Sequence, residues 1–348
     1  MTKSNSSQSQ IVVPDAPDIE GLSFRGFLGD EDFPRMLEVS ERCKVADAED
    51  YVETLDDLRR YYRHLVNSDP TTDMLFVEMN GELIGYSRVW WNQIVDGPRT
   101  YGHFANLVPE WREQGIRRAM LRYNERRLTE IAATHTVDRE RCFEALSSDG
   151  EHNWKILLES EGYKPVRYGF EMVRPDLEEV PDMPLPEGLE VRPVRPEDYQ
   201  TIWGAAREAF RDHWGFSEEE WADTQFESWQ EDDTFTPDLW QVAWEGTEVA
   251  GMVLNFVDAD ENRSYRRQRG YTETICVRRP WRRRGLARAL IARSLNRLSE
   301  LGMTEAALGV DAESEHGTLQ LYEALGYSFT KRWTTYRKPL KTESRDDG

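Results

Sequence analysis

The chain is poor in cysteine, and the few it has cannot act together. Cys43, Cys142 and Cys276 are the only three among 348 residues, with no C-x-x-C pair and no zinc-ligand spacing. So odd and sparse a set excludes a disulfide framework and predicts a reducing compartment. No apolar run reaches the roughly 18 residues that a membrane span needs. The polar opening MTKSNSSQSQ lacks the apolar core of a secretory signal. Positive charge is also scarce, with 44 Lys and Arg against 65 Asp and Glu and a net charge of −21. That balance excludes nucleic acid as a general partner and disfavours an anionic membrane surface. A soluble, cytoplasmic protein is the expectation.

Tryptophan, by contrast, is plentiful at twelve residues, which favours large cores or aromatic pockets. The length predicts two domains. Near the midpoint, RPDLEEVPDMPLPEG (174–188) carries four prolines and reads as an extended linker. The stretches either side of it read alike. LSFRGFLGDEDFPRML resembles LEVRPVRPEDYQTIW, and the hairpin pattern LFVEMNGELIGYSRV resembles WQVAWEGTEVAGMVL. Four landmark pairs are Arg25 with Arg192, Gly81 with Gly246, Arg112 with Arg282 and Gly162 with Gly326. Their offsets are 167, 165, 170 and 164. Near-constant offsets predict a tandem duplication of one α/β (α+β) domain. Each copy is expected to be a mixed, mostly antiparallel twisted sheet flanked by helices. The predicted boundaries are a tail over 1–20, domains over 21–174 and 189–340 with the linker 175–188 between them, and a tail over 341–348.

One stretch of the second copy runs against the acidic composition. VRRPWRRRGLARAL (277–290) has five arginines in its first eight residues. It follows the β-branched strand YTETICV and opens a helix with apolar Ala287, Leu290, Ile291, Leu295 and Leu298. A helix N-terminus offers unpaired N–H groups and partial positive charge. Gly285 and Ala287 are small and leave room for an anion to approach that backbone, with Leu286 between them among the anion-binding positions, and Arg282, Arg283, Arg284 and Arg288 add charge-assisted donors.

Strand, Arg282-x-x-Gly285-x-Ala287, helix, strand, then Leu321-Tyr322 with Gly326-Tyr327: this order resembles the GNAT N-acetyltransferase superfamily in its tandem two-domain type. The resemblance covers nearly the whole chain outside the tails and linker. It implies acetyl-CoA as acyl donor, with no metal, and a coenzyme A pyrophosphate at the arginine loop. It also implies that the backbone of Ile275 and Val277 pairs with the pantetheine arm, and that Tyr322 is the general acid on the departing thiolate. Ser314 stands where the family often carries a cofactor-contacting asparagine, a departure from its pattern.

Acetylating an amine needs a base. Glu273 shares the strand face of Ile275 and Val277 and is the candidate, with Asp311 as a second. In the family the first helices of a copy line the acceptor pocket. Here that segment is EAFRDHWGFSEEEWADTQFESWQEDD (208–233), and Asp212, His213 and Trp214 are its candidate acceptor-binding residues. An acidic aromatic wall suits a cationic amine.

In the first copy the matching loop is VPEWREQG, with Arg117 in place of Ala287 and Leu158 in place of Tyr322. That copy is expected to be non-catalytic. The expected activity is acetyl transfer to a primary amine of a small molecule by the second copy, in a monomer built as a pseudo-dimer or in a homodimer. A protein or peptide N-acetyltransferase and a non-catalytic acyl-CoA sensor are the alternatives.

Overall fold

The computed structural model describes residues 10–313 and 317–341. The chain divides into two compact units, Met1–Val166 with Thr335–Gly348 (unit 1) and Arg167–Thr334 (unit 2).

In unit 1 the order is β1 (Leu22–Arg25), α1 (Phe33–Ala46), α2 (Leu55–Arg63), α3 (Pro70–Asp73), β2 (Met74–Met79), β3 (Glu82–Gln93), β4 (Arg99–Leu107), α4 (Ile116–Ala133), β5 (Arg141–Ser148) and α5 (His152–Ser160). Strands β1 to β4 are antiparallel neighbours, and β4 and β5 run parallel. The parallel pair holds only from Arg99–Gly102 against Arg141–Glu144, and the strands then part. Ser87 of β3 bonds Asn124 of α4, while the next residue, Arg88, meets Tyr61 and Tyr62 of α2. Successive strand residues face opposite ways, so α4 and α2 cover opposite faces.

Unit 2 repeats the plan. After β6 (Lys164–Arg174) come β7 (Glu190–Val191), α6 (Tyr199–Phe210), α7 (Asp223–Gln230), β8 (Gln241–Glu245), β9 (Glu248–Phe256), α8 (Ala259–Tyr265), β10 (Arg269–Val277), α9 (Leu286–Glu300), β11 (Glu305–Asp311), α10 (Thr318–Ala324) and β12 (Ser328–Pro339). The expected apolar stripe of α9 is buried at Leu290, Ile291, Leu295 and Leu298. It packs on β10 and β11 together with Tyr322 and Tyr327. The opposite layer is aromatic, with Trp229 stacked on Trp240 at 5.0 Å and Trp221 and Trp229 tilted against Trp203.

The units are not the contiguous stretches 21–174 and 189–340. β6 follows α5 of unit 1 but pairs with β11, Gly169–Arg174 against Ala306–Asp311. β12 starts in unit 2, where Ser328 Oγ and Thr330 Oγ1 donate to the carbonyls of Val173 and Glu171 at 3.3 and 3.2 Å. It ends in unit 1, where Arg337 Nε donates to Glu144 at 2.7 Å and the Leu340 amide to the Arg141 carbonyl at 2.9 Å. Side-chain offsets register similarity between copies, not which sheet edge a strand joins. The proline-rich segment 175–188 has neither helix nor strand, as its prolines predict, yet it is anchored. Leu177 is buried in the unit 2 core, and the Arg174 guanidinium donates to the carbonyls of Asp176, Glu179 and Leu325.

Candidate active site

The site of unit 2 starts where two strands separate. β10 and β11 pair in parallel only from Arg269–Tyr271 against Glu305–Ala307. Beyond Tyr271 the inner edge of β10 leaves β11, and Glu273, Ile275 and Val277 all lie in this parted stretch. Against β9, β10 carries one extra residue between Glu273 and Cys276, with Thr274 at φ 48°. Such a bulge bends a strand and re-aims its side chains. The equivalent pair in unit 1, β3 with β4, runs without one.

Glu273 spans the opening. Its Oε1 accepts the Gly309 amide of β11 at 2.9 Å. Burial raises its carboxyl to about 7, against the lowering effect of that amide, and the Glu171 charge adds to the rise. Tyr322, 4% exposed on α10, packs edge-on to Tyr327 with ring centroids 6.0 Å apart. Its phenol is raised above the ordinary range by burial and by the charges of Glu273 and Tyr327. The Tyr327 hydroxyl is paired with Thr272 Oγ1 at 2.8 Å, so the Tyr327 ring is held in place, while the Tyr322 hydroxyl makes no hydrogen bond to any described residue. The second candidate base, Asp311, is held by Arg167 at 2.6 and 2.9 Å. Ser314 lies outside the described residues.

The arginine run divides in two. Gly285 caps α9 at φ 87°, a conformation that side chains resist, and the first turn presents the amides of Leu286, Ala287 and Arg288. Arg283, Arg284 and Arg288 are exposed around this end, with Arg284 reaching the Glu187 carbonyl at 3.0 Å. Arg282 turns inward instead. Its Nε donates to the Val277 carbonyl at 2.9 Å, Nη1 to Asp212 at 3.0 Å and Nη2 to the Ala209 carbonyl at 3.2 Å. Arg279 also binds Asp212, its Nε at 2.9 Å. Arg282, the expected phosphate donor, and Asp212, the expected amine-binding residue, are thus engaged with each other in this structure. The hydrogen bond from Arg279, reinforced by Arg282, pulls the Asp212 carboxyl down to about 2.

Unit 1 explains this pair. There Arg112 Nε donates to the Leu107 carbonyl at 2.8 Å and its two Nη groups to Asp47 at 2.5 and 2.7 Å. Arg112 corresponds to Arg282, Leu107 to Val277 and Asp47 to Asp212. The same brace stands in a loop without the basic run, so it belongs to the fold. The repeat carried the signal, because both partners recur at offsets of 170 and 165. Arg117 of unit 1, at the place of Ala287, is 3% exposed. It fills the opening, with Nε on the Ala105 carbonyl at 2.7 Å, Nη2 on Glu151 at 2.9 Å and its Cζ 4.3 Å over Trp154. Ala105 corresponds to Ile275, so the guanidinium occupies the strand edge that is open in unit 2. Leu158, at the place of Tyr322, is fully buried.

Residues 212–214 lie on a loop after α6, not on a helix. His213 packs on Phe210 at 4.5 Å, and Trp214, 41% exposed, lies under the Arg167 guanidinium at 5.4 Å. Among the described residues no group of three or more His, Cys, Asp or Glu is placed to hold a metal. None of their helices is long and apolar enough to cross a membrane.

Residues 203–327 match the family model described as Acetyltransferase (GNAT) family. A mycothiol acetyltransferase of Streptomyces bingchenggensis (strain BCW-1) is 27% identical over 277 residues, covering 77% of this chain and 79% of the relative. A solved GCN5-related N-acetyltransferase from Sphaerobacter thermophilus aligns with a TM-score of 0.70 at 24% identity, over 93% of this chain and 97% of its own. A tandem GNAT protein from the clavulanic acid biosynthesis pathway aligns at 0.64 and 16% identity, over 93% and 100%. Fold and family match together define an acyltransferase. Over residues 203–327 the chain is thus similar to the acetyltransferase (GNAT) family, whose acyl donor is acetyl-CoA, and it has the two-unit layout of the tandem neighbour.

Proposed function

We propose that unit 2 transfers acetyl from acetyl-CoA directly to a primary amine of a small molecule, and that unit 1 is a non-catalytic partner. The observation that carries this reading is the parted β10–β11 pair, with Glu273 and Tyr322 beside it and the capped end of α9 beyond. The amides of Leu286, Ala287 and Arg288 would hold the pyrophosphate, with Arg283, Arg284 and Arg288 around it. The open backbone edge at Ile275 and Val277 would take the pantetheine arm. Glu273 accepts a proton from the amine as its nitrogen bonds to the thioester carbonyl carbon. Tyr322 donates a proton to the sulfur as the carbon–sulfur bond breaks. The products are an amide and free coenzyme A thiol. A mycothiol acetyltransferase among the relatives supports a small-molecule acceptor. With Asp212 engaged, His213 and the exposed Trp214 remain as proposed acceptor contacts.

The test is incubation of the whole chain with acetyl-CoA and a panel of small amines and lysine peptides, following free thiol. Turnover with a small amine is the expected result. Turnover with peptides alone overturns the acceptor assignment, and tight donor binding with no turnover on any amine overturns the enzyme assignment.

A further inference from the structure

The structure assigns to unit 1 a binding site for a small carboxylate, centred on Arg88. Arg88 lies on β3 and is 3% exposed. Its Nη2 donates to the Tyr61 hydroxyl at 2.5 Å. Nε and Nη1 are buried without an acceptor, and the guanidinium forms no ion pair with any described residue. Four aromatic rings surround it, with Tyr61, Trp90, Tyr62 and Phe104 centred 4.9, 5.3, 5.4 and 5.9 Å from Cζ. Ring faces attract the charge but leave the N–H donors unsatisfied, a costly state for a buried cation.

The fold does not require a cation here. Gly85 opposite Leu107 in unit 1 and Gly251 opposite Val277 in unit 2 fix the register between β3 and β9. Counting three residues on, Arg88 falls at the place of Leu254, an ordinary core residue of unit 2. The cage depends on a second special residue. The Trp90 ring lies so close over Gly102 that a Cβ there would stand 2.4 Å from it. Tyr61, 54% exposed, is the surface member of the cage, so a ligand would reach Arg88 by displacing that one side chain. An oxyanion supplies the acceptor that Nε and Nη1 lack, and the rings favour a flat apolar body attached to it. The site takes a small carboxylate with a planar or aromatic body. It is separate from the donor cleft, which Arg117 fills in this unit, and it does not depend on the activity proposed for unit 2.

Titration calorimetry and thermal unfolding of the whole chain test this, with benzoate as the probe and benzamide as its neutral analogue. Saturable benzoate binding with a rising Tm is expected, with benzamide at least tenfold weaker. Arg88→Met is expected to weaken benzoate at least tenfold. Tyr61→Ala alters an exposed side chain that the fold tolerates and removes one wall, and is expected to weaken benzoate about fivefold, so the site stays testable if Arg88→Met fails to fold. Equal binding of benzoate and benzamide overturns the proposal. So does unchanged benzoate binding in either variant, or the lack of saturable binding by the unaltered chain.

Discussion

Tyr322 and Glu273 divide the proton traffic of the proposed transfer, and their surroundings set opposite tasks. A phenol pushed above its usual range stays protonated until a thiolate develops beside it. Tyr322→Phe keeps the ring and loses the proton, so thiol release should fall about 100-fold, the lower end for a positioned general acid. Affinity for acetyl-CoA should hold. Glu273, raised to about 7, works as a base only once ionised. Turnover should therefore climb as pH rises through about 7, and Glu273→Gln should remove that limb from the pH–rate profile. The stability effect has a definite sign. Between the ordinary carboxyl range and about 7 the folded chain holds a proton that the unfolded chain has lost, so this residue makes stability fall as pH rises across that window. Glutamine at 273 should flatten that slope in denaturant titrations. Strand parity in the sequence pointed to Glu273, but not to its bond with Gly309 or the bulge at Thr274. Those depend on how far β10 and β11 part, which no local pattern encodes.

At the scale of elements, the loop between β4 and α4 and its counterpart between β10 and α9 share one arginine–aspartate brace in two environments. Arg112 and Asp47 are each 7% exposed, whereas Arg282 and Asp212 are 25% and 27%. Breaking a buried pair strands a charge, so Asp47→Ala should cost about 3–5 kcal/mol. Asp212→Ala should cost about 1 kcal/mol, because water can solvate the released guanidinium groups. Denaturant midpoints of the two variants compare them directly, and a larger loss at Asp212 would contradict the assignment. The hairpins, the α9 stripe and the arginine–glycine loop were legible because their signals are local. The inward turn of Arg282 was not legible, because composition registers charge but not direction. Arg282, Arg283, Arg284 and Arg288 looked like a single anion site, and the fold turns Arg282 inward.

At the scale of the whole molecule, Arg117 fills in unit 1 the strand edge that lies open in unit 2. Calorimetry should find one equivalent of acetyl-CoA bound tightly per chain, and two would contradict the filled cleft. The strand exchange sets where the chain can be divided. A fragment over 189–340 lacks β6 and leaves the β11 edge bare, an aggregation-prone arrangement. A fragment over 167–334 keeps that strand and should be the more soluble in a sedimentation assay. The exchange also dictates timing during synthesis. Unit 1 is begun before unit 2, yet Tyr336 and Leu340, which sit in its core, are made only after every residue of unit 2. Unit 2 has its full set of strands before then. The earlier-made half of this chain is therefore the later one to close, and it must wait, one sheet edge unpaired, for the end of β12 to arrive.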